Sequence, residues 1–220
     1  MIEALFDNNL NWAAARARAD GDWLQRREGG TTPDYLWIGC SDSRACAHEI
    51  VGLEPDALLV HRNVANLAPS GDLGLMATLH FALEIAKVRH IIVCGHTGCG
   101  GVRAALDGGR HGMLDHWLRG LRRLGEDAAS TLRAMRDVET QTDFLAELNV
   151  VDQVRALADN PLVLDVWRRR QPLALHGWIH VNRDGLLRNL ETTVESRADA
   201  RRLFFSSPPA LPRRGGGRRS

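Results

Sequence analysis

The chain has 220 residues, of which 44% are hydrophobic and 25% are charged, a composition typical of a globular protein with one large core. The net charge is only +1, so it does not favour nucleic acid as a partner, and no apolar run is long enough to span a bilayer. The N-terminus lacks the basic start and continuous apolar core of a signal peptide, which predicts a cytoplasmic protein with reduced thiols. Its four cysteines are therefore read as metal ligands or packing residues rather than as two disulfides.

Hydrophobic periodicity predicts an alternation of helices and strands. In chain order we expect a helix at 2–18, strands at 35–39 and 57–60, a helix at 72–87, a strand at 90–94, helices at 113–136, 138–158 and 161–169, and a strand at 173–181. The Asn-Arg-Asp-Gly sequence that follows is typical of a hairpin turn, so residues 186–190 should return antiparallel. This order predicts an α/β fold, with a mainly parallel central β-sheet flanked by helices and an antiparallel strand near the C-terminal end.

The predicted domain organisation is a single domain over residues 1–205, in which residues 1–30 form an N-terminal helical arm. Residues 206–220 form a basic tail, with four arginines between positions 213 and 219 and no acidic residue among them. We expect this tail to be disordered, and binding to RNA or to an acidic partner is the less favoured alternative.

Two short cysteine motifs each follow a predicted strand: Cys-Ser-Asp-Ser-Arg at 40–44 and His-Thr-Gly-Cys at 96–99. Ligands of open α/β sheets bind at the carboxyl ends of the strands, so the two motifs are expected to lie together. They supply two thiolates, an imidazole and a carboxylate, a set that suits tetrahedral Zn²⁺. The predicted metal ligands are Cys40, Asp42, His96 and Cys99.

An aspartate among these ligands favours a catalytic site over a structural one. Arg44 follows Asp42 closely enough to form a charge-assisted pair that keeps the carboxylate off the metal, so both are predicted catalytic residues. Two alternatives stay open at this point. In the first, Arg44 pairs with Asp42 only to stabilise the loop. In the second, the glycine-rich segment at 95–101 binds a phosphate, although it lacks the lysine of a P-loop. Cys94 is predicted to be buried packing, whereas Cys46 is either packing or a redox-sensitive or pocket-lining thiol.

A series of motifs in fixed order identifies a resemblance over residues 1 to about 190. The series is CSDSR at 40–44, GLEP at 52–55, HRNVANL at 61–67, HIIVCGHTGCGGV at 90–102, ELNV at 147–150 and HGW at 176–178. The chain resembles β-class carbonic anhydrases of the bacterial type. The resemblance implies zinc held by Cys40, His96 and Cys99, a fourth position taken by Asp42 or water, and reversible hydration of carbon dioxide to bicarbonate. It also implies a homodimer or homotetramer.

The resemblance leaves a second site and other functions to be tested. Some bacterial members carry an inhibitory bicarbonate site, of which Trp37 and Arg62 match two residues, while His180 stands where a tyrosine is expected. Alternative functions are hydrolysis of carbon disulfide or carbonyl sulfide by the same zinc site, and non-catalytic binding of zinc or bicarbonate. A zinc module that binds nucleic acid is the least favoured, because without the four arginines of the tail the chain has 24 basic against 27 acidic residues.

Overall fold

The computed structural model describes residues 2–22 and 32–204, and the chain divides into two units between Thr32 and Pro33. In the first unit, the described element is the helix α1 (Glu3–Ala19), close to the predicted 2–18. None of its described residues is buried within the chain, and the large apolar side chains that it exposes include Leu5, Phe6 and Leu10. The rest of the predicted arm, at 23–30, and the basic tail at 206–220 lie outside the described residues, so those expectations stay predictions.

The second unit is built on one five-stranded sheet, which confirms the predicted fold class. Across the sheet, the strands lie in the order second, first, third, fourth and fifth of the sequence, and every neighbouring pair is parallel except the final antiparallel pair. The predicted hairpin turn closes through a hydrogen bond of 2.8 Å from the amide of Gly185 to the carbonyl of Val181. The strands are β1 (Tyr35–Cys40), β2 (Leu58–Asn63), β3 (His90–His96), β4 (Ala174–Val181) and β5 (Leu186–Asn189).

Helices flank the sheet in the order of the sequence. They are α2 (Ala47–Val51), α3 (Leu73–His80), α4 (Gly100–Leu106), α5 (Met113–Trp117), α6 (Arg119–Asp127), α7 (Ala129–Arg133), α8 (Val138–Ala158), α9 (Pro161–Arg168) and α10 (Arg197–Phe204). A wider π-type turn over Phe81–Ile85 continues α3, and together they occupy most of the predicted helix at 72–87. Among the described residues, no helix has both the length and the apolarity needed to cross a bilayer.

The predicted single helix at 113–136 is wrong, because the structure has three short helices there. The breaks fall at Leu118 and Ala128, whose ψ angles of 5° and 8° lie outside the helical range. Leu118 at the first break, Leu121 in α6 and Leu132 in α7 are all buried in the large core. Tertiary packing can override helix propensity in this way, so a helix-favouring sequence does not guarantee one continuous helix.

The sheet separates a large core from a smaller one. Alternate residues of β1 and β3 face the large core, which α8 covers, while Trp37, Ile92 and Cys94 face the smaller cluster beside α2. At Gly95, a β-carbon would lie 2.8 Å from Cγ2 of Val150, so glycine allows α8 to approach β3 closely at this position. This packing places α8 directly behind the carboxyl ends of the central strands.

Candidate metal centre

Three side chains that sequence reasoning identified as ligands come together at the carboxyl edge of the sheet. Cys40 ends β1, His96 ends β3, and Cys99 directly precedes α4. Their ligand atoms all lie within 4.8 Å of one another, and each side chain is almost completely buried. Parallel neighbouring strands end at the same edge, so residues 56 positions apart in the sequence become neighbours.

The orientation of His96 makes it suitable as a metal ligand. Its Nδ1 lies 3.1 Å from the carbonyl oxygen of Thr97, which assigns the ring proton to Nδ1 and leaves a lone pair on Nε2. Within the described residues, Nε2 is buried and has no hydrogen-bond partner. A buried nitrogen without a partner is costly, and coordination of a cation removes that cost. The residues present therefore fit a zinc ion.

The two thiols are close enough to share one proton. Sγ of Cys40 lies 3.6 Å from Sγ of Cys99, and it also accepts hydrogen bonds from the amides of Asp42 at 3.3 Å and Ala65 at 3.2 Å. The hydrogen bond from Cys99, opposed by burial, lowers the pKa of Cys40 to about 4. The same pairing, reinforced by burial, raises the pKa of Cys99 above its usual range. A dication between the sulfurs would stabilise both as thiolates, which is the ligand form.

Asp42 is exposed beside this group and lies outside the cluster of three ligands. Its Oδ2 accepts a hydrogen bond of 2.7 Å from the amide of Gly100, the residue after Cys99. Within residues 32–204, no ion pair or hydrogen bond joins the Asp42 carboxylate to Arg44, and both side chains are exposed. The roles predicted for Asp42 and Arg44 therefore stay predictions.

Arg62 binds the backbone of the loop that carries the first cysteine motif. Its Nε and Nη2 donate to the carbonyl oxygen of Cys40 at 3.0 and 2.8 Å, and Nη2 also donates to the carbonyl of Ser43. The guanidinium fork thus connects β2 to the turn after β1, and this fixes where Cys40 presents its sulfur.

The residues predicted for a second bicarbonate site share one face of the sheet, as their strand register shows. Each has a partner of its own. Trp37 packs edge-on against Trp178, with ring centroids 6.1 Å apart, and Nδ1 of His180 lies 3.2 Å from Oδ1 of Asn182. Arg62 is engaged as described above, so the bicarbonate site also stays a prediction.

Sequence reasoning missed the amide side chains that hold the ligand segments. Nδ2 of Asn182 donates to the carbonyl of Thr97 at 2.7 Å, the same oxygen that orients His96. Nδ2 of Asn149, on α8, donates to the carbonyl of Ala65 at 2.8 Å. The available signal was a pair of amides four residues apart, Asn149 and Gln153, among the mainly apolar buried residues of α8.

Comparison with known proteins gives a consistent result. The family model described as "Carbonic anhydrase" matches residues 35–187. A carbonic anhydrase of Emericella nidulans is 38% identical over 188 residues, which cover 86% of this chain and 82% of that protein.

Two solved structures show the same similarity in three dimensions. A tetrameric β-carbonic anhydrase of Sordaria macrospora superposes with a TM-score of 0.84 at 34% identity, covering 88% of this chain and 98% of the other. A Coccomyxa β-carbonic anhydrase in complex with acetazolamide superposes with a TM-score of 0.86 at 31% identity, covering 92% of this chain and 91% of the other.

Proposed function

The chain belongs to the carbonic anhydrase family, in its β class, and we propose that it catalyses the zinc-dependent, reversible hydration of carbon dioxide to bicarbonate and a proton. The observation that carries this proposal is the buried, unpartnered Nε2 of His96 beside the thiols of Cys40 and Cys99. The relatives reported above include fungal proteins. That this chain is of the bacterial type, as its motifs suggest, is part of what we propose.

The three ligand residues determine how strongly water is activated. When bound, zinc lowers the pKa of a water molecule, so that hydroxide is available as the nucleophile for carbon dioxide. Cys40 and Cys99 bind as thiolates and offset the double charge of the cation, which a set of three neutral histidines would leave uncompensated. Hydroxide should consequently form at higher pH than at a three-histidine site, and activity should rise as the pH rises through and above neutrality.

Asp42 and Arg44 are proposed to control access to the reaction. As a hydrogen-bond acceptor, Asp42 would orient the nucleophile that bound zinc supplies, and Arg44 would hold the carboxylate away from the three ligand residues. The position of Asp42 supports this role, because its hydrogen bond to Gly100 keeps it next to Cys99. Below neutral pH, Asp42 would instead occupy the fourth ligand position and close the site.

This gate predicts a specific defect for Arg44→Ala. The variant should retain its zinc but lose activity, most severely at acidic pH, because Asp42 is then free to bind the metal. A pH–rate profile measured beside the native protein and Asp42→Ala tests this. Native-like activity of Arg44→Ala at alkaline pH would rule out the proposed gate.

We also propose a cytoplasmic homodimer or homotetramer. The four cysteines are free, as expected in a reducing compartment, and α1 exposes Leu5, Phe6 and Leu10, apolar surface that a second copy would cover. The Sordaria relative is a tetramer. Light scattering should give an even oligomer, and an active monomer at micromolar concentration would exclude it.

The bicarbonate site of Trp37, Arg62 and His180 is retained as a proposal, supported by their shared sheet face.

Stopped-flow measurement of carbon dioxide hydration tests the function. The zinc-loaded protein should hydrate carbon dioxide in proportion to its zinc content, with activity increasing toward alkaline pH. Parallel assays with carbon disulfide and carbonyl sulfide distinguish the alternative hydrolase. Turnover of these sulfur compounds without carbon dioxide hydration would support that alternative, and absence of all three activities would support a non-catalytic zinc protein.

A further inference from the structure

A buried polar relay connects α8 to the Cys40 sulfur. Oε1 of Gln153 accepts a hydrogen bond of 2.8 Å from the amide of Ala68, and its Nε2 donates to Oδ1 of Asn149 at 3.0 Å. Nδ2 of Asn149 then donates to the carbonyl of Ala65 at 2.8 Å, and the amide of Ala65 donates to Sγ of Cys40 at 3.2 Å. Asn149, Ala65 and Cys40 are completely buried, and Ala68 and Gln153 are only 3% and 7% exposed, so the relay is largely shielded from water.

The loop at the end of this relay has an unusual backbone. Ala65 and Asn66 have φ angles of +64° and +46°, in the left-handed region that residues with a β-carbon seldom adopt. This conformation directs the amide of Ala65 toward Cys40 while its carbonyl faces Asn149. Such backbone persists only where surrounding contacts hold it, and Asn149 provides the contact on the α8 side. On the other side, Nε1 of Trp117 donates to the carbonyl of Val64 at 2.8 Å.

A purely packing role does not account for this arrangement. Two amide side chains buried on an apolar helix face must both find partners, or they destabilise the fold, and apolar residues of similar volume would avoid that risk. Among the described residues, the side chains of Asn149 and Gln153 form hydrogen bonds with the loop at 65–68 and with each other. Gln153 also has a longer contact with Asp152. The relay is therefore directed at the segment that donates to Cys40.

We propose that Asn149, supported by Gln153, is a positioning residue that holds the Ala65 amide on the Cys40 thiolate and thereby tunes the metal. This inference rests on the proposed function, because it takes Cys40 as a zinc ligand. An amide that donates to a thiolate withdraws electron density from the sulfur, which then donates less charge to the cation. A zinc ion held by Cys40 would consequently be a stronger Lewis acid, and it would activate water at lower pH than it would without that hydrogen bond.

The test uses the full chain in zinc-loaded and cobalt-substituted forms. Asn149→Leu removes the donor at similar volume, Gln153→Met weakens its support, and Leu157→Ala is the control, since Leu157 is fully buried on α8 and outside the relay. Two quantities are measured for each protein: the energy of the thiolate-to-cobalt charge-transfer band, and the pH midpoint of carbon dioxide hydration by the zinc form.

Asn149→Leu should move the band to lower energy and raise the pH midpoint by about half a unit, roughly threefold in the ionisation constant. Gln153→Met should produce smaller changes in the same directions, whereas Leu157→Ala should reduce stability and change neither quantity. The proposal is overturned if Asn149→Leu matches the native protein, or if Leu157→Ala shifts both quantities equally. If Asn149→Leu does not fold, Gln153→Met alone decides, and no shift there overturns the proposal. A native protein that binds no cobalt or zinc would instead overturn the proposed function, and this inference with it.

Discussion

Replacing Gly101 by alanine tests whether close packing of the start of α4 against the loop at 64–65 is needed to hold the sulfurs of Cys99 and Cys40 near each other. Gly101 is buried two residues after Cys99. A β-carbon there would lie 2.7 Å from Cγ1 of Val64, 3.4 Å from Cβ of Ala65 and 3.5 Å from its amide nitrogen. The substitution therefore presses on the residue whose amide donates to the Cys40 sulfur.

The size of the effect follows from the shortest contact. Carbon atoms pack at about 3.6 Å, so the contact of the new methyl with Val64 must lengthen by ~0.9 Å. Val64 is β-branched and cannot easily rotate away, so the backbone of α4 or of the loop has to move. Overpacking of this kind costs about 1–3 kcal/mol, of which up to ~1 kcal/mol is offset by the helix propensity of alanine. We expect a net loss of about 1–2 kcal/mol in the free energy of unfolding.

The same displacement exceeds the ~0.2 Å tolerance of metal–ligand distances, so the zinc affinity should fall about tenfold or more. The assays are urea unfolding and competition with a zinc chelator. Gly120→Ala is the matched control, because Gly120 is exposed in α6 and no atom lies within 4 Å of its added β-carbon. The control should be unchanged or slightly more stable. If Gly101→Ala keeps both the zinc affinity and the stability of the control, the argument from close packing is wrong.

Two other perturbations probe the surroundings of the site and the opposite end of the sheet. Asn182→Ala removes the donor that fixes the Thr97 carbonyl behind His96, so zinc should be released to a chelator about tenfold faster, and an unchanged release rate would contradict this positioning. His176 has a pKa lowered by burial and then by the charge of His90, so the unfolded chain binds the proton more readily. The free energy of unfolding should therefore decrease as the pH falls below about 6.5. His176→Gln should flatten this dependence in urea titrations between pH 7.5 and 5, and a slope equal to that of the native protein would count against the assignment.

The sequence predicted helices and strands best where a local pattern of apolar residues alone determines the structure. The continuous apolar runs predicted β1 and β3, and the predicted helix at 138–158 has the same limits as α8 in the structure. Strand β2 was predicted to end at Val60, three residues early, because His61, Arg62 and Asn63 are polar and lie on an edge strand. The short helix α4 was missed because two glycines begin it.

The candidate site was also predicted only in part. The candidate ligands lie at or just after strand ends and carry recognisable chemistry, so the grouping of Cys40, His96 and Cys99 was predictable from the sequence. The residues that orient them were not, because Asn149 and Asn182 act on segments 84 and 85 positions away through backbone carbonyls. A hydrogen bond to a carbonyl leaves no signature in the residue that it holds.

The most direct test of the account is the zinc content per chain of the native protein, Cys99→Ser and Cys46→Ser, measured with carbon dioxide hydration on the same samples. Cys46 is the control, because its half-buried sulfur lies 3.2 Å from Nε2 of His48 and outside the ligand cluster. We expect one zinc per chain and full activity for the native protein and Cys46→Ser, and loss of both in Cys99→Ser. Full zinc content and full activity in Cys99→Ser would contradict this expectation.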